Sequence, residues 1–327
     1  MNSSLTSTII HRTATPLTRV LSRSGRRAFK ALIIFSAPNS TSNSPQSLNV
    51  ILATGTGDLW VSSPSCAACS PDAPDFNSVA SDTLEIAHNS TGQTVRVTLS
   101  YGSDFVAGDL VRDTVAMGGF QVKLQPWLRV DQITPNLVRG STSGVLGLAF
   151  EALADTGGTP FWQVLADGGL LAAPEMSFWF TRLIGDPDAS GEEFGGIFTL
   201  GGRNQTLYTG DVEFSPLVTV GGRKTYWLIN VLGVYLTRAV LCTSICCPHV
   251  SISGMRVNGK DITLPPEGTG VVETGTTLIG GPTAAISAIY AQIPGSQPLS
   301  GDFAGYYGFR MFVFLSAKPL IDISSSP

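Results

Sequence analysis

The sequence is short of charge, of lysine and of long apolar runs. Charged residues make up 13% of the 327 positions, against 43% hydrophobic. That balance can build a sizeable core and excludes a chain disordered throughout. Lysine occurs only five times, and the first 57 residues hold six Lys/Arg but no Asp or Glu. From Asp58 onward 24 acidic residues outweigh 14 basic ones, a net of −10. An acidic body of this kind excludes a nucleic-acid surface. No run of 18 apolar residues lacks a polar interruption; the nearest, 227–247, contains Asn230 and Arg238, which argues against a transmembrane helix. The three histidines (His11, His88 and His249) form no triad pattern with a Ser or Cys, so a Ser–His hydrolase is not indicated. The length fits two domains or one large one.

Cysteine is also sparse, at five residues: Cys66, Cys69, Cys242, Cys246 and Cys247. Cys66 and Cys69 could form a small disulfide loop or half of a zinc site. Zinc needs a second ligand pair, and the candidates, Cys242, Cys246, Cys247 and His249, lie far along the chain, so the disulfide is preferred. No metal or other cofactor is expected. Sequons stand at Asn2, Asn39, Asn89 and Asn204. The acid-free leader contains five arginines from Arg12 to Arg27 and the apolar run Ala31–Phe35. Its composition resembles a transit peptide, but a solvated, disordered tail over 1–44 is the preferred expectation.

What is abundant is turn chemistry, with 36 glycines and 20 prolines, spaced between short apolar segments. Val50-Ile51-Leu52, Leu59–Ser62, the alternating 93–99, 108–117, 144–150, 196–200 and 226–229 read as strands. Residues 93–117 read as a hairpin turning at Tyr101-Gly102-Ser103-Asp104. One helix is indicated, capped by Thr159, with Pro160 first, a body of Phe161–Ala166 and a stop at Gly168-Gly169. The class is mostly β.

Two segments echo each other 220 positions apart: Val50-Ile51-Leu52-Ala53-Thr54-Gly55-Thr56 and Val271-Val272-Glu273-Thr274-Gly275-Thr276-Thr277. Each is an apolar strand, one variable residue, then Thr-Gly-Thr. The spacing suggests a duplicated lobe, not a solenoid. Each copy would deliver one side chain into a shared space, and the Thr-Gly lets the backbone turn and approach its twin. Were both variable residues carboxylates, they would lie about 3 Å apart and share a proton. One would act as base on a water while the other protonates a carbonyl.

In these motifs the chain resembles the pepsin-like aspartic proteases, in particular the fungal secreted ones. The family carries Asp-Thr-Gly in each lobe; here Ala53-Thr54-Gly55-Thr56-Gly57-Asp58-Leu59-Trp60 and Glu273-Thr274-Gly275-Thr276-Thr277-Leu278-Ile279 stand in its place. The hairpin 97–103 resembles the family's flap, with Tyr101 as the closing tyrosine and Trp60 as its support. Residues 143–148 resemble the buttressing strand, and 198–202 with 208–210 the interlobe region. The resemblance covers roughly 45–310. It implies a bilobal, mostly β pepsin-like acid protease fold with an interlobe cleft. It also implies a monomer acting on polypeptides outside the cell or in an acidic vacuole, with no cofactor, nucleic acid or membrane. The implied substrate-binding residues are Tyr101, Gly102, Ser103, Gly55, Thr56, Trp60, Gly275, Thr276 and Thr277, and the catalytic positions are Ala53 and Glu273.

The chain departs from this pattern in four ways. Ala53 replaces the first aspartate and can neither take a proton nor hold water. Glu273 replaces the second, and its extra methylene shifts the carboxylate when ~1 Å can cost ~100-fold. The ends depart as well: the strand expected before Gln46 is not evident, and the C-terminal lobe is incomplete, with no resemblance after Tyr307. Residues 232–251 interrupt an otherwise continuous match. The expected organisation is therefore a basic leader over 1–44, an N-terminal lobe over 45–205 and a partial C-terminal lobe over 206–327. Translated intron or misjoined exon is expected at 1–44, 232–251 and 308–327. Asp58, past the turn, is expected to bond locally to backbone. The implied activity is low or absent. The alternatives are a non-catalytic peptide-binding relative or an unstable fragment.

Overall fold

Apolar residues at alternate positions make the described chain chiefly strand. The computed structural model describes residues 17–21, 27–35, 45–102, 104–181, 192–212, 214–230, 232–236, 252–257, 260–262, 269–276, 280–301, 304–305 and 307–308. The chain divides into two units. The first comprises 1–210, 219–227 and 271–277, and the second 211–218, 228–270 and 278–327. The boundary expected from sequence at 205/206 thus differs in one respect that matters: the second Thr-Gly-Thr segment belongs to the first unit.

Eleven strands of the first unit form one sheet. They are β1 (Leu17–Leu21), β2 (Arg27–Phe35), β3 (Gln46–Ala53), β4 (Leu59–Ser62), β5 (Glu85–Ile86), β6 (Arg96–Tyr101), β7 (Asp104–Met117), β8 (Phe120–Ile133), β9 (Gly144–Gly147), β10 (Met176–Phe180) and β11 (Glu192–Leu200). Their order is β10-β11-β1-β2-β3-β9-β4-β8-β7-β5, with β6 paired to β7. β3 and β9 run parallel, with Ala53 opposite Gly147, and β4 lies antiparallel on the other side of β9. A Cβ added at Gly147 would lie 2.5 Å from the Asp58 nitrogen, and one at Gly144 2.0 Å from the Trp60 carbonyl. Only glycine admits this approach of β4 to β9.

Composition predicts a disordered leader without a strand before Gln46; β1 and β2 correct this. β2 pairs antiparallel with β3, Ala31 opposite Val50 and Ile33 opposite Leu48. Its period-2 pattern buries Ala31, Ile33 and Phe35 and leaves Leu32 exposed. Burial of three apolar side chains on one face outweighs the absence of a Gly/Pro strand signal. Phe35, Phe76 and Trp127 then pack as an aromatic cluster with ring centroids 4.7–5.1 Å apart. Lys30 is buried in the same strand, its Nζ donating to the Ser141 Oγ at 3.2 Å.

The expected helix exists as α1 (Phe161–Asp167), starting one residue later than read: Pro160, not Thr159, is the N-cap. In the second unit, Leu232–Leu236 runs parallel to Ile252–Val257, which pairs antiparallel with Lys260–Ile262. Part of the segment expected to be an insertion therefore lies in a sheet. A further helix, α2 (Thr283–Tyr290), follows Pro282. Cys242, Cys246, Cys247 and His249 lie outside the described residues. Among the described residues, no helix is long and apolar enough to cross a membrane.

Candidate functional site

Strand β3 delivers Ala53 to the edge of the core, 8% exposed, where its carbonyl accepts the Leu148 N–H at 2.8 Å. The chain then turns through Thr54, Gly55, Thr56 and Gly57 into β4. The second Thr-Gly-Thr segment meets this turn. Val272 N–H donates to the Trp227 carbonyl at 3.1 Å, and the Trp227 indole N–H donates to the Leu148 carbonyl at 2.8 Å. Trp227 also packs against Phe150 and Trp162. The segment is thereby tied to the strand end that holds Ala53.

The two threonines interlock. Thr54 N–H donates to the Thr274 Oγ1 at 3.2 Å, and Thr274 N–H donates to the Thr54 Oγ1 at 2.9 Å. Each hydroxyl then donates onward across the pair: Thr54 to the Val272 carbonyl at 2.7 Å, Thr274 to the Leu52 carbonyl at 2.6 Å. Each threonine hydroxyl thus accepts one bond and donates one. The arrangement leaves neither buried hydroxyl unpaired and makes the loops near-symmetric. Sequence reading names the glycines and passes over these threonines, although their recurrence in both copies was the available signal.

Each glycine faces the variable residue of the other loop. A Cβ added at Gly55 would lie 1.5 Å from the Glu273 Oε2; one at Gly275 would lie 2.9 Å from the Ala53 Cβ and 2.9 Å from the Glu273 Oε1. Glu273 Oε1 accepts the Gly275 N–H at 2.5 Å. Ala53 and Glu273 are therefore brought together as the echo implies, with one carboxylate between the loops. The glutamate's extra methylene carries that carboxylate over Gly55. Burial pushes the Glu273 pKa up; the amides of Gly275 and Thr54 oppose the shift without cancelling it.

Trp60 is fully buried in β4, and its indole N–H donates to the Tyr101 hydroxyl at 2.9 Å. Tyr101 ends β6, paired with Asp104 across the hairpin, and Gly102 turns with φ +63°. Burial raises the Tyr101 pKa, against a hydrogen bond with Thr56 that lowers it. Ala53, Trp60, Leu99, Val130 and Cys66 belong to one buried cluster, with Tyr101 and Cys69 packed on it. Cys66 and Cys69 are joined as a disulfide. Ser103 and Thr277 lie outside the described residues, and Thr276 is exposed.

Asp58 is corrected. Its carboxylate does not bond locally but accepts from Asp155 N–H (2.9 Å), Thr156 N–H (3.1 Å) and the Thr156 hydroxyl (2.6 Å), 97 and 98 residues away. It is buried and its pKa is raised by desolvation, the Thr156 and Asp155 donors notwithstanding. It anchors the turn after Ala53 to the 155–156 loop; no sequence spacing announces that contact. Among the described residues no group of three His, Cys, Asp or Glu could hold a metal ion.

The profile of the eukaryotic aspartyl proteases matches residues 40–307. The chain is 31% identical over 275 residues to the major aspartyl peptidase 1 of Cryptococcus neoformans var. grubii, covering 82% of this chain and 50% of that protein. It is 29% identical over 271 residues to an aspartic protease of Phaffia rhodozyma, covering 81% and 56% respectively. It is 30% identical over 264 residues to a probable vacuolar protease A of Arthroderma benhamiae, covering 79% and 56%. The chain spans about half the length of the curated relatives it matches.

Proposed function

The chain belongs to the eukaryotic aspartyl protease family, and from that premise we propose that it is a pepsin-like relative whose peptide-hydrolysing activity is low or absent. The observation that carries this reading is the single carboxylate at the paired loops: the Ala53 methyl lies against Gly275 while the Glu273 carboxyl lies over Gly55. Acid hydrolysis of a peptide by this route needs two proton positions, a base to deprotonate water and an acid to protonate the carbonyl. A lone carboxyl can hold one role at a time. Its raised pKa keeps Glu273 protonated further up the acid range, where it can donate but cannot take the proton from water.

The intact Trp60–Tyr101 hydrogen bond supports a second reading, an extended-peptide binder without turnover. An unstable fragment is the remaining alternative. The relatives' names support polypeptide ligands and, through the probable vacuolar protease A, a vacuolar setting; an extracellular one rests on the family resemblance alone.

The test compares the parent with Ala53→Asp/Glu273→Asp on a denatured protein substrate at acidic pH. Restoring a general acid–base partner is worth roughly 10²–10⁴-fold in rate, so the double variant is expected to exceed the parent by that order. Parental turnover equal to the double variant, blocked by a statine-type inhibitor, overturns the reading. Statine-peptide binding with a cooperative melt separates the binder from an unstable fragment.

A further inference from the structure

We propose that Asn89 is an N-glycan acceptor. It opens the sequon Asn89-Ser90-Thr91, at the tip of a narrow hairpin closed by the bridge between His88 and Thr94. Asn89 N–H donates to the Gln93 carbonyl at 2.8 Å, and Gly92 turns the tip with φ +80°. Residues 88–94 are all exposed, and a Cβ added at Gly92 would meet nothing within 4 Å. The tip has room for a bulky branched substituent.

The side-chain geometry leaves the amide nitrogen little engaged. Asn89 Oδ1 accepts the Thr91 hydroxyl at 2.7 Å, the Thr91 N–H at 2.9 Å and the Gln93 N–H at 3.0 Å. Three donors engage the carbonyl oxygen, so the side chain is held through Oδ1 with the threonine hydroxyl beside the amide. The Asn89 Nδ2 makes one long bond, 3.3 Å, to the exposed Gln93 Oε1. Attachment at Nδ2 costs at most that contact and leaves the three bonds to Oδ1 in place. Asn204 repeats the threonine contact, its Oδ1 accepting the Thr206 hydroxyl at 2.7 Å, but from a half-buried position at the start of a short helix. Asn2 and Asn39 lie outside the described residues.

The co-reactant is a lipid-pyrophosphate-linked oligosaccharide, presented by the oligosaccharyl transferase of a secretory route. The Asn89 Nδ2 forms a bond to the anomeric carbon, the bond from that carbon to the pyrophosphate oxygen breaks, and the amide gives up one proton to a base of the transferase or to solvent. The lipid pyrophosphate leaves, and nothing is oxidised or reduced. The inference concerns the acceptor and stands apart from the protease reading.

The test secretes the full chain from yeast behind a cleavable leader, with parent, Asn89→Gln, Thr91→Ala and Thr91→Ser compared. Peptide mass spectrometry follows glycosidase treatment in heavy-oxygen water, applied equally to secreted and membrane-enclosed cellular protein. Labelled aspartate at position 89 in most parental molecules, lost in Thr91→Ala and kept in Thr91→Ser, is the expected result. The glycosidase-sensitive mobility shift should shrink by one glycan in Asn89→Gln. Unmodified Asn89 in the translocated parent, including the case where only Asn204 is modified, overturns the proposal.

Discussion

Ala53 and Glu273 are expected to behave as a coupled pair, because both side chains lie against Gly275. Restoring aspartate at position 53 alone would force a second carboxylate towards Glu273, which already reaches Gly55 and takes the Gly275 amide. Overpacking typically costs about 1–3 kcal/mol, and two carboxyls so close resist joint ionisation. Ala53→Asp is therefore expected to lower stability by that order in urea melts, more at neutral than at acid pH, with Glu273→Asp relieving the loss in the double variant. Additive effects of the two changes would contradict the coupling. The raised pKa of Glu273 has its own signature. A carboxyl whose folded pKa exceeds the unfolded one contributes stability below the ordinary value of 4.5, lost as pH rises through the folded pKa. Thermal melts of the parent should thus lose stability relative to Glu273→Gln between acid and neutral pH.

At the scale of elements, two loops depend on polar contacts that burial makes costly to break. Asp58→Ala would orphan the amides of Asp155 and Thr156 and the Thr156 hydroxyl. Asp155 is exposed and Thr156 half-buried, so the loss lies at the low end of the roughly 1–3 kcal/mol per unsatisfied group, about 1 kcal/mol in all. Urea unfolding should show a loss of at least that size, with Asp58→Asn losing less. Thr54 and Thr274 act as one unit, since each donates to and accepts from the other loop. A double-mutant cycle with Thr54→Val and Thr274→Val should return a coupling of roughly 0.5–3 kcal/mol; a coupling near zero would refute the interlock. The paired Thr-Gly-Thr turns were legible because a duplicated backbone device repeats its residues. β2 was not, because five arginines mask a period-2 apolar face whose partner is visible only once β3 is in place. α2 was missed because Gly281 precedes its Pro282 where Thr159 precedes Pro160 in α1, so no polar cap announces it.

At the scale of the molecule, the described residues of the two units differ in the core they form. The first buries Trp60, Trp127, Phe35, Phe76 and many aliphatic side chains. In the second, Val257, Ile262 and Ala285 are the buried apolar residues among those described. Local opening free energy follows buried apolar contact. Hydrogen exchange is therefore expected to be slowest in β3, β4 and β9 and markedly faster in 283–290. Equal protection of both regions would run against this.

The sequence by itself determined the mostly β class and the family. Those facts are written in residue identity and in motifs that chain neighbours define. Only the tertiary structure decided that Glu273 spans to Gly55, that Asp58 is anchored 97 residues away, and that β2 joins the sheet. Each depends on which distant groups share one buried space, and desolvation there makes an unpaired polar group too costly to leave.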